Sequence, residues 1–197
     1  MDNLSGQGGI NIRAFVAIKI PGKILREIEG IQSALDRGWR GISWVKPASI
    51  HLTLKFLGEI DPAKVDAIAT ALEYASKGIG PLEIKVSGLG AFPNMMNPRV
   101  LWVGIGGNDA LKRLSANIED GLYALGFERE GRPFTPHLTL CRVKSSNDGR
   151  ALGKTAAEAN ISIDKNFTAS AFHLIKSVLN PRGAEYTDIK TIGLQQP

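Results

Sequence analysis

The sequence predicts a chain of interleaved strands and helices in which one strand–helix–loop–strand unit is used twice. Two observations carry that prediction. The tetrapeptide His51-Leu52-Thr53-Leu54 returns as His137-Leu138-Thr139-Leu140. Each copy also closes a similar series: an apolar strand run, an apolar run at helical spacing, a loop, then the tetrapeptide. The interval from Phe15 to His51 nearly equals that from Trp102 to His137. Two related lobes would then place their motif strands symmetrically and turn the four polar side chains toward one cleft. The 197 residues, 43% hydrophobic, suffice for one sizeable core or for two small lobes sharing one. No linker or low-complexity tract interrupts 12–197, which reads as one two-lobed domain. Met1 to Asn11 is polar and glycine-bearing, and reads as a flexible lead-in or a tag remnant.

The elements follow in order. Ile12 to Ile20 is an apolar strand. Pro21 then marks a helix start, and Ile24, Leu25, Ile28, Ile31 and Leu35 recur at helical spacing over about Gly22 to Arg37. Gly38 to Ser49 is a loop, and Ile50 to Leu57 is the first motif strand, closed by Gly58. Asp61 caps a helix with Pro62 at its first position, and Val65, Ile68, Ala69 and Leu72 form its buried face. Leu82, Ile84, Val86 and Leu89 alternate as a strand, Phe92 to Pro98 turns, and Arg99 to Ile105 is the next strand. Gly106 and Gly107 end it. Asn108 or Asp109 caps a helix lined by Leu111, Leu114, Ile118, Leu122 and Leu125 and stopped by Gly126. Glu128 to Pro136 is a polar loop before the second motif strand, His137 to Val143. A turn at Ser145 to Gly149, a short helix from about Arg150 to Ala159, and strands within Phe167 to Leu179 and Glu185 to Ile192 complete the chain.

Composition excludes several classes. Cys141 is the only cysteine, so no internal disulfide forms, which fits a reducing cytoplasm. No apolar run approaches the roughly 18–20 residues that span a bilayer. No Cys/His cluster has metal-ligand spacing, and no nucleotide-triphosphatase phosphate loop occurs. The net charge of +5 favours a polyanionic partner, but it equally suits a solubilising surface, and no dense basic tract marks a nucleic-acid arm.

The chemistry lies in the duplicated motif. On a strand, residues i and i+2 share a face. Each copy therefore buries its leucines and presents an imidazole beside a hydroxyl: His51 with Thr53, His137 with Thr139. Imidazole gives or takes a proton near neutral pH, and a threonine hydroxyl can donate to an oxyanion. Two such units facing each other suit a phosphodiester. One histidine activates the attacking oxygen and the other protonates the leaving one, with no metal required.

Paired His-x-Thr-x motifs in this frame resemble the 2H phosphoesterase superfamily, and its RNA 2′,3′-cyclic phosphodiesterase branch, the 2′-5′ RNA ligase-like proteins. The matching segments are Arg13 to Ile18, Trp44-Val45-Lys46-Pro47, the first motif through Gly58, Phe92-Pro93, Pro98 to Gly104, Arg132 to Leu140 through Arg142, and Pro181 to Tyr186. They span about Arg13 to Ile192. The resemblance implies a two-lobed α+β fold of pseudo-twofold symmetry, with antiparallel sheets flanking a central cleft. It implies hydrolysis of RNA 2′,3′-cyclic phosphate ends, or of cyclic nucleotides, to 2′-phosphomonoesters without a cofactor; the expected partners are RNA ends, tRNA fragments being one candidate, and the expected state is a cytoplasmic monomer. It makes His51 the proton donor and His137 the acceptor, a point on which the sequence itself is symmetric.

The remaining candidates are weaker. The resemblance puts Arg142 near the phosphate, although its odd offset from His137 would need a bulge to re-aim it. Lys55 shares the His51 face by parity, where it meets phosphate or simply solvent. Phe15 is the best cleft aromatic. Arg132 and Phe134 precede the second motif at the expected cleft mouth, with Phe134 either stacking on a base or packing under the loop. Cys141 alternates onto the His137 face but has no required role there. Trp44 and Trp102 read as core, and His173, with no threonine two residues on, as structural or surface. Two other functions fit the same cleft: 2′-5′ RNA ligation by the reverse reaction, and a non-catalytic module binding RNA ends.

Overall fold

The two predicted units form two antiparallel sheets, and each unit lends its last strand to the other's sheet. A computed structural model describes residues 10–106, 108–159, 161–181 and 183–195. Most of the lead-in, Gly107 and Arg182 lie outside the described residues. The first unit runs β1 (Ile12–Lys19), α1 (Gly22–Leu35), β2 (Ile42–Trp44), β3 (His51–Ile60), α2 (Val65–Ala75) and β4 (Leu82–Phe92). The second runs β5 (Val100–Ile105), α3 (Asp109–Tyr123), β6 (His137–Val143), α4 (Ser146–Glu158), β7 (Asp164–Ala169) and β8 (Ala171–Asn180), and β9 (Gly183–Gly193) follows. One sheet has the order β3-β1-β8-β9, the other β2-β6-β5-β4-β7. Thus β2 and β4 leave the first unit to pair with β6 and β5, and β8 leaves the second to pair with β1.

Side-chain chemistry fixes which face of each sheet is inside. Leu52, Leu138 and Leu140 are fully buried and Leu54 nearly so. Each is worth about 1.5–3 kcal/mol in place. A one-residue slip of either motif strand would expose its leucines, so the histidines and threonines are held on the opposite face. The buried leucines join one continuous apolar cluster drawn from both sheets and all four helices.

The helix at Gly22 and the one capped by Asn108 start where the sequence predicts, whereas α4 begins at Ser146, inside the turn expected over Ser145 to Gly149. Asn108 Oδ1 accepts from Leu111 N at 3.1 Å, and Ser145 caps α4 through Asp148 N. Asp61 caps a short 3-10 turn, Pro62–Lys64, that leads into α2. Three further expectations are corrected. The predicted loop from Gly38 to Ser49 contains β2, whose three residues are too few to show alternation and which forms by pairing with β6. Gly58, at φ 70°, does not close β3; it follows a register shift, and the strand continues to Ile60. The single strand expected within Phe167 to Leu179 is two, broken at Ser170 and assigned to different sheets.

Candidate active site

Both motif strands carry the same irregularity at the same place. Along β3, Ala17 pairs with Thr53 but Val16 with Lys55, so Leu54 is an extra residue. Along β6, Trp102 pairs with Thr139 but Leu101 with Cys141, so Leu140 is the extra one. A bulge of this kind turns the next side chains to the other face. Lys55 and Cys141 consequently follow the leucines inward, while Phe56 and Arg142 turn out beside the histidines and threonines. Arg142 thus occupies the His137 face despite its odd offset. Gln32, buried on α1, donates to Leu140 O at 3.0 Å and to Val45 O at 2.8 Å, tying the second bulge to the chain beside it.

The two imidazoles are held alike. His51 Nδ1 lies 2.8 Å from Ser49 O, and His137 Nδ1 lies 2.7 Å from Thr135 O. A carbonyl only accepts, so Nδ1 carries the proton in each ring and Nε2 is the nitrogen left for proton exchange. The accepting carbonyl stands two residues before the histidine in both copies. Burial pushes the His51 pKa below the usual imidazole range, against the raising pull of the Ser49 carbonyl.

Aromatic rings wall both imidazoles. Phe15 stacks on His51 at 4.6 Å, and Tyr186 meets it edge-on at 5.3 Å. Phe92 meets His137 edge-on at 5.0 Å, with Trp102 at 6.1 Å. Burial raises the Tyr186 pKa, while the guanidiniums of Arg142 and Arg13 pull it down. The phenol beside His51 therefore sits in the field of the arginine that shares a face with His137. β3 and β6 also pack against each other. Neither Tyr186, Phe92 nor Trp102 carries a sequence signal that marks it for the site. Tyr186 and Phe92 come from segments far from either tetrapeptide in sequence. Trp102, expected in the core, pairs with Thr139 and lies half-buried over Gly90, where a Cβ would collide with its ring.

Several candidates are relocated. Lys55 does not share the His51 face of β3. It is buried and ion-paired, its Nζ donating to Glu119 Oε2 at 2.8 Å and to Glu128 O at 2.6 Å. The bulge reverses the parity that placed it beside His51. Arg132 and Phe134 line a separate concavity of about 180 Å³ with Leu54, Ser115 and Glu119. Leu54 lies on the face of β3 opposite His51, so these two are not brought beside the histidines. Cys141 is fully buried rather than on the His137 face, and burial pushes its thiol up to about 11. His173 sits on the Thr53 side of the first sheet through Ala17. Its Nδ1 is 3.1 Å from Thr191 Oγ1 and 3.4 Å from Asp188 Oδ2. Among the described residues, no group of three or more His, Cys, Asp or Glu side chains is placed to hold a metal ion, and no helix is long and apolar enough to cross a membrane.

Two duplicated strands, each presenting an imidazole fixed at Nδ1 beside a threonine, on two sheets that trade strands, define a two-histidine phosphoesterase fold. The chain belongs to the LigT-like phosphoesterases of the 2H superfamily: the family model described as LigT like Phosphoesterase matches twice, at residues 18–102 and 105–186. Those two matches divide the chain as the tetrapeptides do. A protein of Methanocaldococcus jannaschii named RNA 2′,3′-cyclic phosphodiesterase is 37% identical over 180 residues, 91% of this chain and 99% of its own. One of the same name from Methanothermobacter thermautotrophicus is 30% identical over 94% of this chain and 100% of its own. A crystal structure from Thermus thermophilus superposes with a TM-score of 0.77 at 26% identity, covering 94% of this chain and 99% of that one. Apo LigT of E. coli, at 22% identity and a TM-score of 0.74, covering 95% of this chain and 100% of its own, shares the fold.

Proposed function

We propose that this protein hydrolyses RNA 2′,3′-cyclic phosphate ends to 2′-phosphomonoesters by two-histidine acid–base catalysis. The observation that carries the reading is the twofold-repeated tether of His51 and His137, which leaves one reactive Nε2 on each half. The relatives' shared name, at up to 37% identity over nearly the whole chain, supports the reaction class.

In this mechanism His137 Nε2 takes a proton from water, and the resulting hydroxide attacks phosphorus. The bond from phosphorus to the 3′ oxygen breaks as His51 Nε2 gives that oxygen its proton. Exchange with solvent resets both rings. Thr53, Thr139 and Arg142 donate to the non-bridging oxygens as charge builds there, the contribution that preorganised dipoles make best. The donor and acceptor roles follow the family resemblance. A phosphate anion beside His51 favours its protonated form, offsetting the burial that disfavours it.

RNA cleaved to cyclic ends, tRNA fragments included, is the substrate class of this reading. The motif residues all come from one chain, which fits a monomer, and the lone buried Cys141 fits a cytoplasmic setting. Incubation with a nucleoside 2′,3′-cyclic phosphate in EDTA tests the proposal. Sustained release of the 2′-phosphate supports it. Release of the 3′-phosphate, arrest by EDTA, or binding without turnover rejects it.

A further inference from the structure

Gln32 is a buried amide on α1, 7% exposed, with no part in the chemistry proposed above. Its Nε2 carries two hydrogens and uses both, donating to Leu140 O at 3.0 Å and to Val45 O at 2.8 Å. Val45 N in turn donates to Leu140 O at 2.9 Å. Gln32, Val45 and Leu140 therefore close a clasp, and each free side of it leads to a motif. Leu140 is the bulge residue of β6, next to Thr139 and two residues before Arg142. Val45 follows β2 and enters a 3-10 turn, Pro47–Ser49, braced by Ser49 N on Lys46 O at 2.8 Å and Ile50 N on Pro47 O at 3.0 Å. The turn packs against α1 and ends at Ser49 O, the carbonyl that holds His51 Nδ1. Gln32 thus joins the support of the first histidine to the strand of the second.

Resting on the phosphodiesterase reading above, we infer that Gln32 is a positioning residue that sets the His51 imidazole at its working separation from His137, Thr139 and Arg142. A bulge disrupts the ladder around it, and a buried carbonyl there needs a partner from elsewhere. The amide supplies one and, with its second hydrogen, fixes the direction in which the chain leaves for the His51 turn. The β2–β6 ladder beside it is only three residue pairs long, so the clasp adds a tie where that ladder stops. Acid and base act on one phosphorus, so the rate depends steeply on their separation, by on the order of 10² for a misplacement of about 1 Å.

The test is Gln32→Met, which keeps the length and helix preference of the side chain and removes both donors. Turnover of adenosine 2′,3′-cyclic phosphate should fall by about 10- to 100-fold in kcat, with little change in KM. The same substitution added to His51→Ala should cost almost nothing further, because a positioning effect vanishes with the group it positions. By NMR, the His51 Nδ1–H resonance of the folded variant should shift or broaden, its carbonyl partner no longer being held. A merely structural amide would lower the unfolding midpoint, cost the same factor with or without His51, and leave that resonance in place; this pattern overturns the proposal, as does an unchanged kcat. If Gln32→Met does not fold, Gln32→Glu takes its place at acid pH, where the buried carboxyl is neutral and returns one donor. Failure of both to fold makes the amide structural and overturns the positioning role. Absence of turnover by the native protein rejects the hydrolysis reading, and the His51 resonance then still decides the positioning.

Discussion

β3 and β6 run the same course through His-Leu-Thr-Leu, shift register at the same leucine, and then diverge. β3 continues with Lys55 and Phe56, β6 with Cys141 and Arg142. The shared portion holds what proton transfer demands: an imidazole tethered at Nδ1 and a hydroxyl on the same face. The divergent portion shows what each environment permits. A buried position accepts a thiol without further provision, whereas an ammonium there needs a carboxylate and a carbonyl, which Glu119 and Glu128 supply. An exposed position accepts a ring or a guanidinium, and the two halves have taken one each. Duplication here preserves the chemistry and frees the flanks.

The largest expected effect falls on the shared portion. His51→Ala and His137→Ala should each cut turnover of a cyclic phosphate by roughly 10² to 10⁴, the worth of a lost acid or base. Steady-state kinetics on both variants checks this, and near-normal activity in either breaks the equivalence of the halves. Next comes Arg142→Ala, expected to lower kcat by about 10², the scale of one lost donor to a developing anion. An effect confined to KM would make Arg142 a binding group only.

The buried flanks should differ in stability. Lys55→Met strands Glu119 and should cost about 3–5 kcal/mol, measured by denaturant unfolding. The double variant Lys55→Met/Glu119→Leu should recover much of that loss, since a buried pair often exchanges neutrally for apolar side chains. Cys141, with its thiol pushed up to about 11, should resist alkylation at neutral pH in the folded protein and react once unfolded.

The smallest effect concerns pH. As proton donor, His51 must be protonated, so activity falls as pH rises through its pKa. Burial lowers that pKa in the free protein, and bound phosphate raises it. The falling limb of kcat/KM, which reports the free protein, should therefore lie at lower pH than that of kcat. Coincident limbs would argue against His51 as the donor. The same depressed pKa makes the folded state bind its proton less readily than the unfolded chain. That contribution to stability is present above the ordinary imidazole pKa and is lost as pH falls through the lowered one.

Much of this was legible in the sequence, because the tetrapeptide names both strands and both faces. The alternating leucines forced His51, Thr53, His137 and Thr139 outward, and the repeat exposed the symmetry. Parity failed at one residue in each strand. A bulge leaves no mark in composition, so Lys55 was placed outside when it is inside, and Phe56 was passed over. Arg142 was retained only because the family resemblance overrode its offset. The exchange of β4 and β8 was hidden as well, since strand patterns do not state their partners. Two walls of the site, Tyr186 on β9 and Phe92 on β4, reach the histidines through that exchange, whereas Trp102 lies on β5, the direct neighbour of β6.

The most direct test of two imidazoles serving one phosphorus is a double-variant cycle. Rates of cyclic-phosphate opening are measured for the native protein, His51→Ala, His137→Ala and the pair together. Groups that act as a unit are strongly non-additive, so each single change should lose nearly all the acceleration and the double change little more. Losses that simply multiply would show two separate contributions and contradict a shared site.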